Sequence, residues 1–188
     1  LGMNKADASN TRNVNIRKLR LILERTGDIA INYKGGYWSI SIGDDITCDY
    51  HEINKILQEV PDKATVDIAT LQRILKLAAG GTLTPTISAE WLDSFKDEYT
   101  KQVTTFMLRM LETSDVKGNN KLILQIADVL LLNDTLDEEA IRIKCQILFR
   151  MGQKGASKRC YDTFVAEHTR LLNEKSAISY EDILSDLQ

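Results

Sequence analysis

The spacing of apolar and polar positions predicts a chain that is helical almost throughout, with one β-hairpin near its start. Residues 9–26 place Ile16, Leu19 and Leu23 at helical intervals, so these side chains form one apolar stripe. Residues 28–31 can begin a short strand, and residues 37–42 alternate as a second strand after a Gly-Gly turn. The expected order is therefore a helix followed directly by a two-stranded hairpin.

From Asp49 onward the apolar spacing predicts a succession of helices separated by loops. We expect these helices over residues 49–60, 66–79, 88–113, 121–132, 136–151 and 155–173, with a short one after Ser179. Capping signals mark four predicted starts, which are Asp49-x-x-Glu52, Ser88, Thr135-x-x-Glu138 and Ser179-x-x-Asp182. Pro61 and Asp62 are expected to end the first of these helices.

The last three long helices follow one another through short connections and are similar in length. This pattern is typical of a tetratricopeptide-like array of helical hairpins. A plain helical bundle is the alternative. The predicted fold class is therefore mainly α, with a helical-hairpin array over residues 48–188. The helix and β-hairpin of residues 1–47 precede it. A helix followed directly by a hairpin is typical of the recognition helix and wing of a winged helix, which is incomplete here.

The polar face of the first helix carries residue types that suit a DNA major groove. Arginine pairs bidentately with guanine and asparagine with adenine, while lysine and arginine neutralise phosphates. The side chains expected to address base edges are Asn13, Asn15, Arg17 and Arg20. The side chains expected to lie on phosphates are Arg12, Lys18 and, at the hairpin tip, Lys34. An ordinary solvated surface helix beside a hairpin is the other interpretation.

Charge is distributed unevenly along the 188 residues. Residues 1–26 contain six basic and two acidic side chains, which gives +4, and the whole chain carries −3, so the remainder sums to −7. A basic end on an acidic body favours a DNA-reading module joined to a protein-interaction module. The apolar content of 43% and charged content of 27% are typical of a globular protein. No long apolar run or signal peptide is visible. We expect a cytoplasmic location, because three cysteines without close pairs fit a reducing compartment.

Several segments together resemble the SARP-type bacterial transcriptional regulators, whose second half is called the bacterial transcriptional activator domain. Residues 12–20 with Leu23 match the recognition helix, and Gly36-Tyr37-Trp38 matches the wing, with Asp49-Tyr50 just after it. The loop around Gly81 and Leu83 that precedes residues 91–95, the acidic run 134–140 and the segment 152–164 resemble the helical half. The resemblance covers nearly the whole chain. It implies a transcriptional regulator whose partners are double-stranded DNA and a protein, either RNA polymerase or a second protomer.

The chain departs from that pattern at its beginning. A winged helix needs two helices before the recognition helix, and only about eight residues precede residue 9. We therefore expect a fragment of a regulator, cut by design or by proteolysis or never longer. We also expect the stripe of Ile16, Leu19 and Leu23 to pack against the helical domain or a second copy.

Catalysis, cofactors and membrane contact are not expected. His51 and His168 lie far apart in sequence and lack the spacing of a metal site, and no phosphate-binding glycine motif is present. Cys48, Cys145 and Cys160 show no close pair, which fits a reducing compartment and buried or neutral thiols. We expect no cofactor, no metal and no small-molecule substrate. The alternative function is a helical protein–protein interaction module without DNA binding, and an enzyme is a distant third.

Overall fold

The computed structural model describes residues 5–25, 27–60, 66–174, 176 and 178–185, with side chains from residue 8 onward. The chain divides into two compact units, unit 1 (Leu1–Cys48) and unit 2 (Asp49–Gln188). The described residues are mainly helical and include one two-stranded antiparallel sheet. The prediction of a mainly helical chain with one hairpin is thus confirmed at that level. The expected stop at Pro61 and Asp62 lies outside the described residues.

Unit 1 consists of one helix and one hairpin. Helix α1 (Lys5–Leu23) is followed by strands β1 (Ile29–Lys34) and β2 (Tyr37–Ile42). The two strands are joined by Gly35 and Gly36, both of which have positive φ, at 62° and 87°. A two-residue turn with both residues in the left-handed region matches the twist of the strands, and glycine adopts it without steric cost.

The hairpin register separates an apolar face from a polar one. Directly opposed residues on one face pair Ile29 with Ile42, Ile31 with Ile40 and Tyr33 with Trp38. The Tyr33 and Trp38 rings lie 4.8 Å apart between centroids. Of the described residues in unit 1, only Ile31 is buried. The rest of this apolar face is exposed or half-buried.

Unit 2 is formed by helices throughout its described part. They are α2 (Asp49–Glu59), α3 (Ile68–Ala78), α4 (Glu90–Leu111), α5 (Ser114–Lys117), α6 (Asn120–Asn133), α7 (Glu138–Arg150), α8 (Lys154–Leu172) and α9 (Tyr180–Ser185). Successive helices α6, α7 and α8 pack in sequence order, and α9 also packs on α7. Residues 134–137 and 151–153 make the short connections that the sequence predicted.

Two apolar clusters hold unit 2 together. The larger cluster joins α2, α3, α4 and α6 through fully buried side chains that include Ile53, Ile74, Met107 and Ile126. The smaller one joins α7, α8 and α9 through Ile141, Cys145, Phe164 and Ile183. Each of these apolar side chains stabilises the fold by about 1.5–3 kcal/mol relative to an exposed position.

The predicted helix starts are correct in some places and wrong in others. At the last helix, the Ser179 backbone N–H and hydroxyl donate to the Asp182 carboxylate, and the Asp182 N–H donates back to Ser179 Oγ, so this capping box is confirmed. Ser88 does not cap α4, because the N-cap position is Ala89, which makes no side-chain capping bond. Thr135 does not cap α7 either, because the Asp137 carboxylate accepts the Ala140 N–H at 2.9 Å.

The predicted capping box at Asp49 is also wrong. Helix α2 already includes Asp49, whose carboxylate accepts the N–H of the next residue, Tyr50. The Glu52 carboxylate pairs instead with the guanidinium of Arg73 on α3. An ion pair between two helices thus uses the side chain that the local pattern assigned to a cap.

Ser157 joins α8 to α7 through a buried hydrogen bond. Its side chain is fully buried, and its Oγ donates to the Cys145 carbonyl oxygen at 2.8 Å. The Tyr180 hydroxyl donates to the same Oγ at 2.8 Å, which also ties α9 to this contact. The small residue buried between the paired helices is therefore Ser157, whereas Gly155, two residues earlier in the segment 152–164, is exposed.

Candidate nucleic-acid interface

Arg20 is the residue that fixes α1 to the hairpin. Its Nη2 donates to the Ile31 carbonyl oxygen at 2.8 Å, and its guanidinium carbon lies 6.0 Å from the centroid of the Trp38 ring. Both contacts hold the guanidinium on the hairpin side of the helix. The structure therefore places Arg20, which the sequence assigned to a base edge, in contact with the hairpin of its own chain.

Asn13, Arg17 and Lys18 occupy the exposed surface of α1. Within the described part of the chain, neither Arg17 nor Lys18 forms an ion pair or a hydrogen bond. An arginine and a lysine that are not neutralised by neighbouring carboxylates remain available to an anionic partner. The structure leaves these three residues exposed and does not test the DNA-binding roles that the sequence assigned to them.

Arg12 and Asn15 lie on a different side of α1. They line a shallow groove with Ile16 and Leu19, and the Arg12 guanidinium donates to Ser9 Oγ at 3.2 Å. At 3.6 residues per turn, this side of the helix points well away from Arg17. The expected DNA-binding residues of α1 are thus divided between two sides of the helix, and Arg12 lies in the apolar stripe rather than at the edge of the polar face.

Lys34 ends β1 at the tip of the hairpin, opposite Tyr37 in the strand register. Its side chain is exposed, beside the Gly35–Gly36 turn. A basic residue at a hairpin tip next to a helix is well placed for a phosphate contact. The structure agrees with the predicted position of Lys34 at the tip and does not test its role.

The apolar residues of α1 are more widely distributed than the single stripe predicted. Ile16 and Leu23 are half-buried, whereas Leu19, Leu21 and Ile22 are 40%, 55% and 60% exposed. The helix is therefore apolar on more than one side. The hydrogen bond of Arg20 to the Ile31 carbonyl oxygen is one contact that joins α1 to the hairpin.

The candidate catalytic residues are not brought together. His51 is exposed on α2, and the half-buried His168 on α8 has its Nδ1 3.1 Å from the Glu174 carbonyl oxygen. The parts of the chain with assigned structure contain no cluster of His, Cys, Asp and Glu suited to a metal ion. None of the helices described here is both long and apolar enough to cross a membrane.

The sequence did not predict the pairing of Cys145 with Cys160. Cys160 packs against the apolar cluster that contains the buried Cys145, although fifteen positions separate the two residues. The sequence does contain a signal for this pairing. Cys145 precedes Gly152, in the turn between α7 and α8, by about as many residues as Cys160 follows it. In a hairpin of antiparallel helices, positions equidistant from the turn face each other.

No family model, curated protein or solved structure matches this chain. The resemblance to SARP-type regulators therefore rests on the sequence segments given above.

Proposed function

We propose that this chain is a DNA-binding transcriptional regulator of the SARP type. In this proposal α1 reads the major groove, the hairpin tip contacts phosphate, and unit 2 is a tetratricopeptide-like array that relays a signal or binds a protein partner. The observation that carries the proposal is the exposed set of Asn13, Arg17 and Lys18 on one helix, without acidic partners among the residues described.

In this proposal Arg17 and Asn13 read bases, and Lys18 and Lys34 bind phosphate. Arg20 is a positioning residue that holds the helix against the hairpin, which its hydrogen bond to Ile31 supports. Arg12 and Asn15 reach DNA only if the groove side of α1 also faces the duplex. Readers on a fixed helix discriminate bases better than readers on a mobile one, because less conformational entropy is lost on binding.

DNA binding is tested by the fluorescence anisotropy of a labelled duplex titrated with the full chain. We expect affinity that falls steeply between about 50 and about 200 mM salt, because phosphate contacts release counterions. The double variant Arg17→Ala/Lys18→Ala should reduce the steepness of log K against log salt by about 1–2. On a sequence selected from a random pool, Arg17→Ala alone should cost about 1–3 kcal/mol and relax base preference.

The matched control removes the same charge from unit 2. Lys121→Ala/Arg150→Ala changes two exposed basic residues of α6 and α7 and should leave DNA affinity unchanged. If the control weakens binding as much as the α1 variant does, the attraction is a property of net charge. The proposed contact of α1 with the DNA major groove is then wrong. If no duplex binds with salt dependence, the DNA-binding proposal is wrong.

The second candidate is a helical protein–protein interaction module. Trp91 and Phe95 lie one turn apart on α4 and are 72% and 51% exposed, and exposed aromatic pairs are common at protein interfaces. A partner that covers them could be a second protomer or RNA polymerase. Sedimentation over a range of concentrations tests whether the partner is a second protomer. Self-association of a chain that does not bind DNA, abolished by Trp91→Ala/Phe95→Ala, would favour the interaction module.

A further inference from the structure

Two thiols and an ammonium group meet between α7 and α8. Cys145 on α7 is fully buried, and Cys160 on α8 is half-buried beside it. Lys144 lines the same cavity as Cys160, and its Nζ lies 2.6 Å from Asp128 Oδ1 on α6. This cluster belongs to unit 2, whereas the residues assigned to DNA belong to unit 1.

A cavity of about 590 Å³ opens onto Cys160. Its apolar walls include Leu131, Ile141 and Phe164, and its charged groups are Lys144, Arg159 and Glu167. Cys145 is fully buried and does not line the cavity. A small molecule in the cavity therefore contacts Cys160 and not Cys145.

The surroundings give the two sulfurs opposite protonation preferences. The neighbouring Cys145 thiol and the Lys144 charge lower the pKa of Cys160 to about 7, even though burial and Asp128 oppose that change. The Cys160 side chain and burial raise the pKa of Cys145. The Cys145 S–H donates to the Ser157 carbonyl oxygen at 3.5 Å, which also favours its protonated form. Cys160 is thus the nucleophile, and Cys145 keeps its proton.

We propose that Cys160 is a peroxide-reactive site and that Cys145 is its resolving thiol. The Cys160 thiolate attacks one oxygen of a hydroperoxide, so that an S–O bond forms and the O–O bond breaks. The leaving oxygen takes a proton and departs as an alcohol, or as water from hydrogen peroxide, and Cys160 becomes a sulfenic acid.

In the second step the Cys145 sulfur attacks the sulfenic sulfur. The S–S bond forms, the S–O bond breaks, and the departing hydroxide leaves as water with the proton that Cys145 gives up. In total two thiols are oxidised to a disulfide that links α7 to α8, while one hydroperoxide is reduced.

The expected rate follows from two opposing effects. A fall in pKa from the usual 9.0 to about 7 raises the thiolate fraction at neutral pH about 50-fold. The lower basicity reduces intrinsic nucleophilicity by about sixfold to tenfold. Cys160 in the folded chain should therefore react about fivefold faster than it does in the urea-unfolded chain.

The test treats the full chain with one equivalent of hydrogen peroxide and follows intact mass and peptide mass. Wild type should lose two hydrogens, with the disulfide mapped to Cys145 and Cys160. Cys145→Ser should instead gain one oxygen, trapped by dimedone at Cys160, and Cys160→Ser should form no disulfide. Cys48→Ser is the matched control and should behave as wild type, because Cys48 belongs to unit 1.

A pH series of alkylation rates provides a second measurement that needs no cysteine variant. The rate at Cys160 should rise with an apparent pKa near 7, and Lys144→Met should shift that pKa upward. The charged and titratable groups around the sulfur are Lys144, Asp128, Arg159, Glu167 and the Cys145 thiol. Equal rates in the folded and the unfolded chain, or a peroxide product unchanged in Cys160→Ser, would overturn the proposal.

Discussion

Arg17 and Arg20, three positions apart on α1, show how position decides what a side chain does. Both are exposed arginines on one amphipathic helix, and the sequence predicted that both address base edges. The carbonyl of Ile31 and the ring of Trp38 engage Arg20, whereas Arg17 has no such neighbours among the described residues. The bond to Ile31 and the contact with the Trp38 ring direct the Arg20 guanidinium toward the hairpin and leave fewer of its N–H donors for a base.

Replacing Arg20 should therefore loosen the hairpin. Arg20→Ala removes a charge-assisted hydrogen bond and a cation–π contact, and we expect unit 1 to lose about 1 kcal/mol of stability. In a ¹H–¹⁵N spectrum the indole signal of Trp38 should move while that of Trp91 stays in place. Arg17→Ala is the control and should move neither signal; a Trp38 signal that ignores Arg20→Ala would show that the contact does not hold the hairpin.

At the scale of the elements, a turn just before a helix can override a capping pattern and move the start of the helix. The Thr135-x-x-Glu138 spacing predicted that Thr135 caps α7. In the structure residues 134–136 form a turn in which the Leu136 N–H donates to Asp134, so the helix starts two residues later than predicted. The cap is consequently Asp137.

These two positions allow a matched test of the cap. Asp137→Ala should lower the free energy of unfolding by about 1 kcal/mol, since it removes the acceptor for the Ala140 N–H and a carboxylate at the positive end of α7. Thr135→Ala should change it by no more than a few tenths of a kcal/mol. Urea titration measures both, and the reverse order of effects would restore Thr135 as the cap.

The capping box of α9 should make stability depend on pH in the acidic range. Hydrogen bonds from the Ser179 hydroxyl and N–H lower the pKa of Asp182 below its ordinary 3.8. Because the folded pKa is the lower one, the stabilisation is fully present above 3.8 and is lost as pH falls through the folded pKa.

The difference in urea midpoint between wild type and Asp182→Asn should therefore be largest near neutral pH and shrink below pH 3.8. Glu181→Gln changes the adjacent exposed carboxylate and serves as the control, and its difference in urea midpoint from wild type should not shrink in this way. A difference for Asp182→Asn that stays constant from neutral to acidic pH would rule out the capping box as its source.

At the scale of the whole molecule, the two units differ in how much apolar surface they bury. Of the described residues in unit 1 only Ile31 is buried, whereas unit 2 contains two clusters of fully buried side chains. A two-stranded hairpin beside one helix has little to stabilise it alone. Stability is therefore concentrated in unit 2.

Hydrogen exchange of the full chain should reveal this difference. Amides of β1 and β2 should exchange at least about tenfold faster than those of α6 and α7, because they open with a smaller free-energy cost. Ile31→Ala should accelerate exchange in unit 1 alone, and Ile141→Ala, a core truncation worth about 2–5 kcal/mol, in unit 2 alone. A variant that accelerates exchange equally in both units would show that they unfold together.

The sequence by itself determined which segments form helices and strands. Apolar spacing predicted α1, the hairpin with its Gly35–Gly36 turn and the long helices of unit 2, because periodicity and turn chemistry act within a few residues of one another. The Ser179–Asp182 capping box was predictable for the same reason. The expected function rests on the types of side chain on one helix, and DNA titration has yet to test it.

The tertiary structure alone decided which side chains meet across elements. The contact of Arg20 with β1, the ion pair of Glu52 with Arg73 and the pairing of Cys145 with Cys160 each join residues at least eleven positions apart. Such contacts depend on the rotation and separation of packed helices, which the pattern of any one helix does not specify. The same packing buries Ser157 and leaves Gly155 exposed, although both are small residues of one motif.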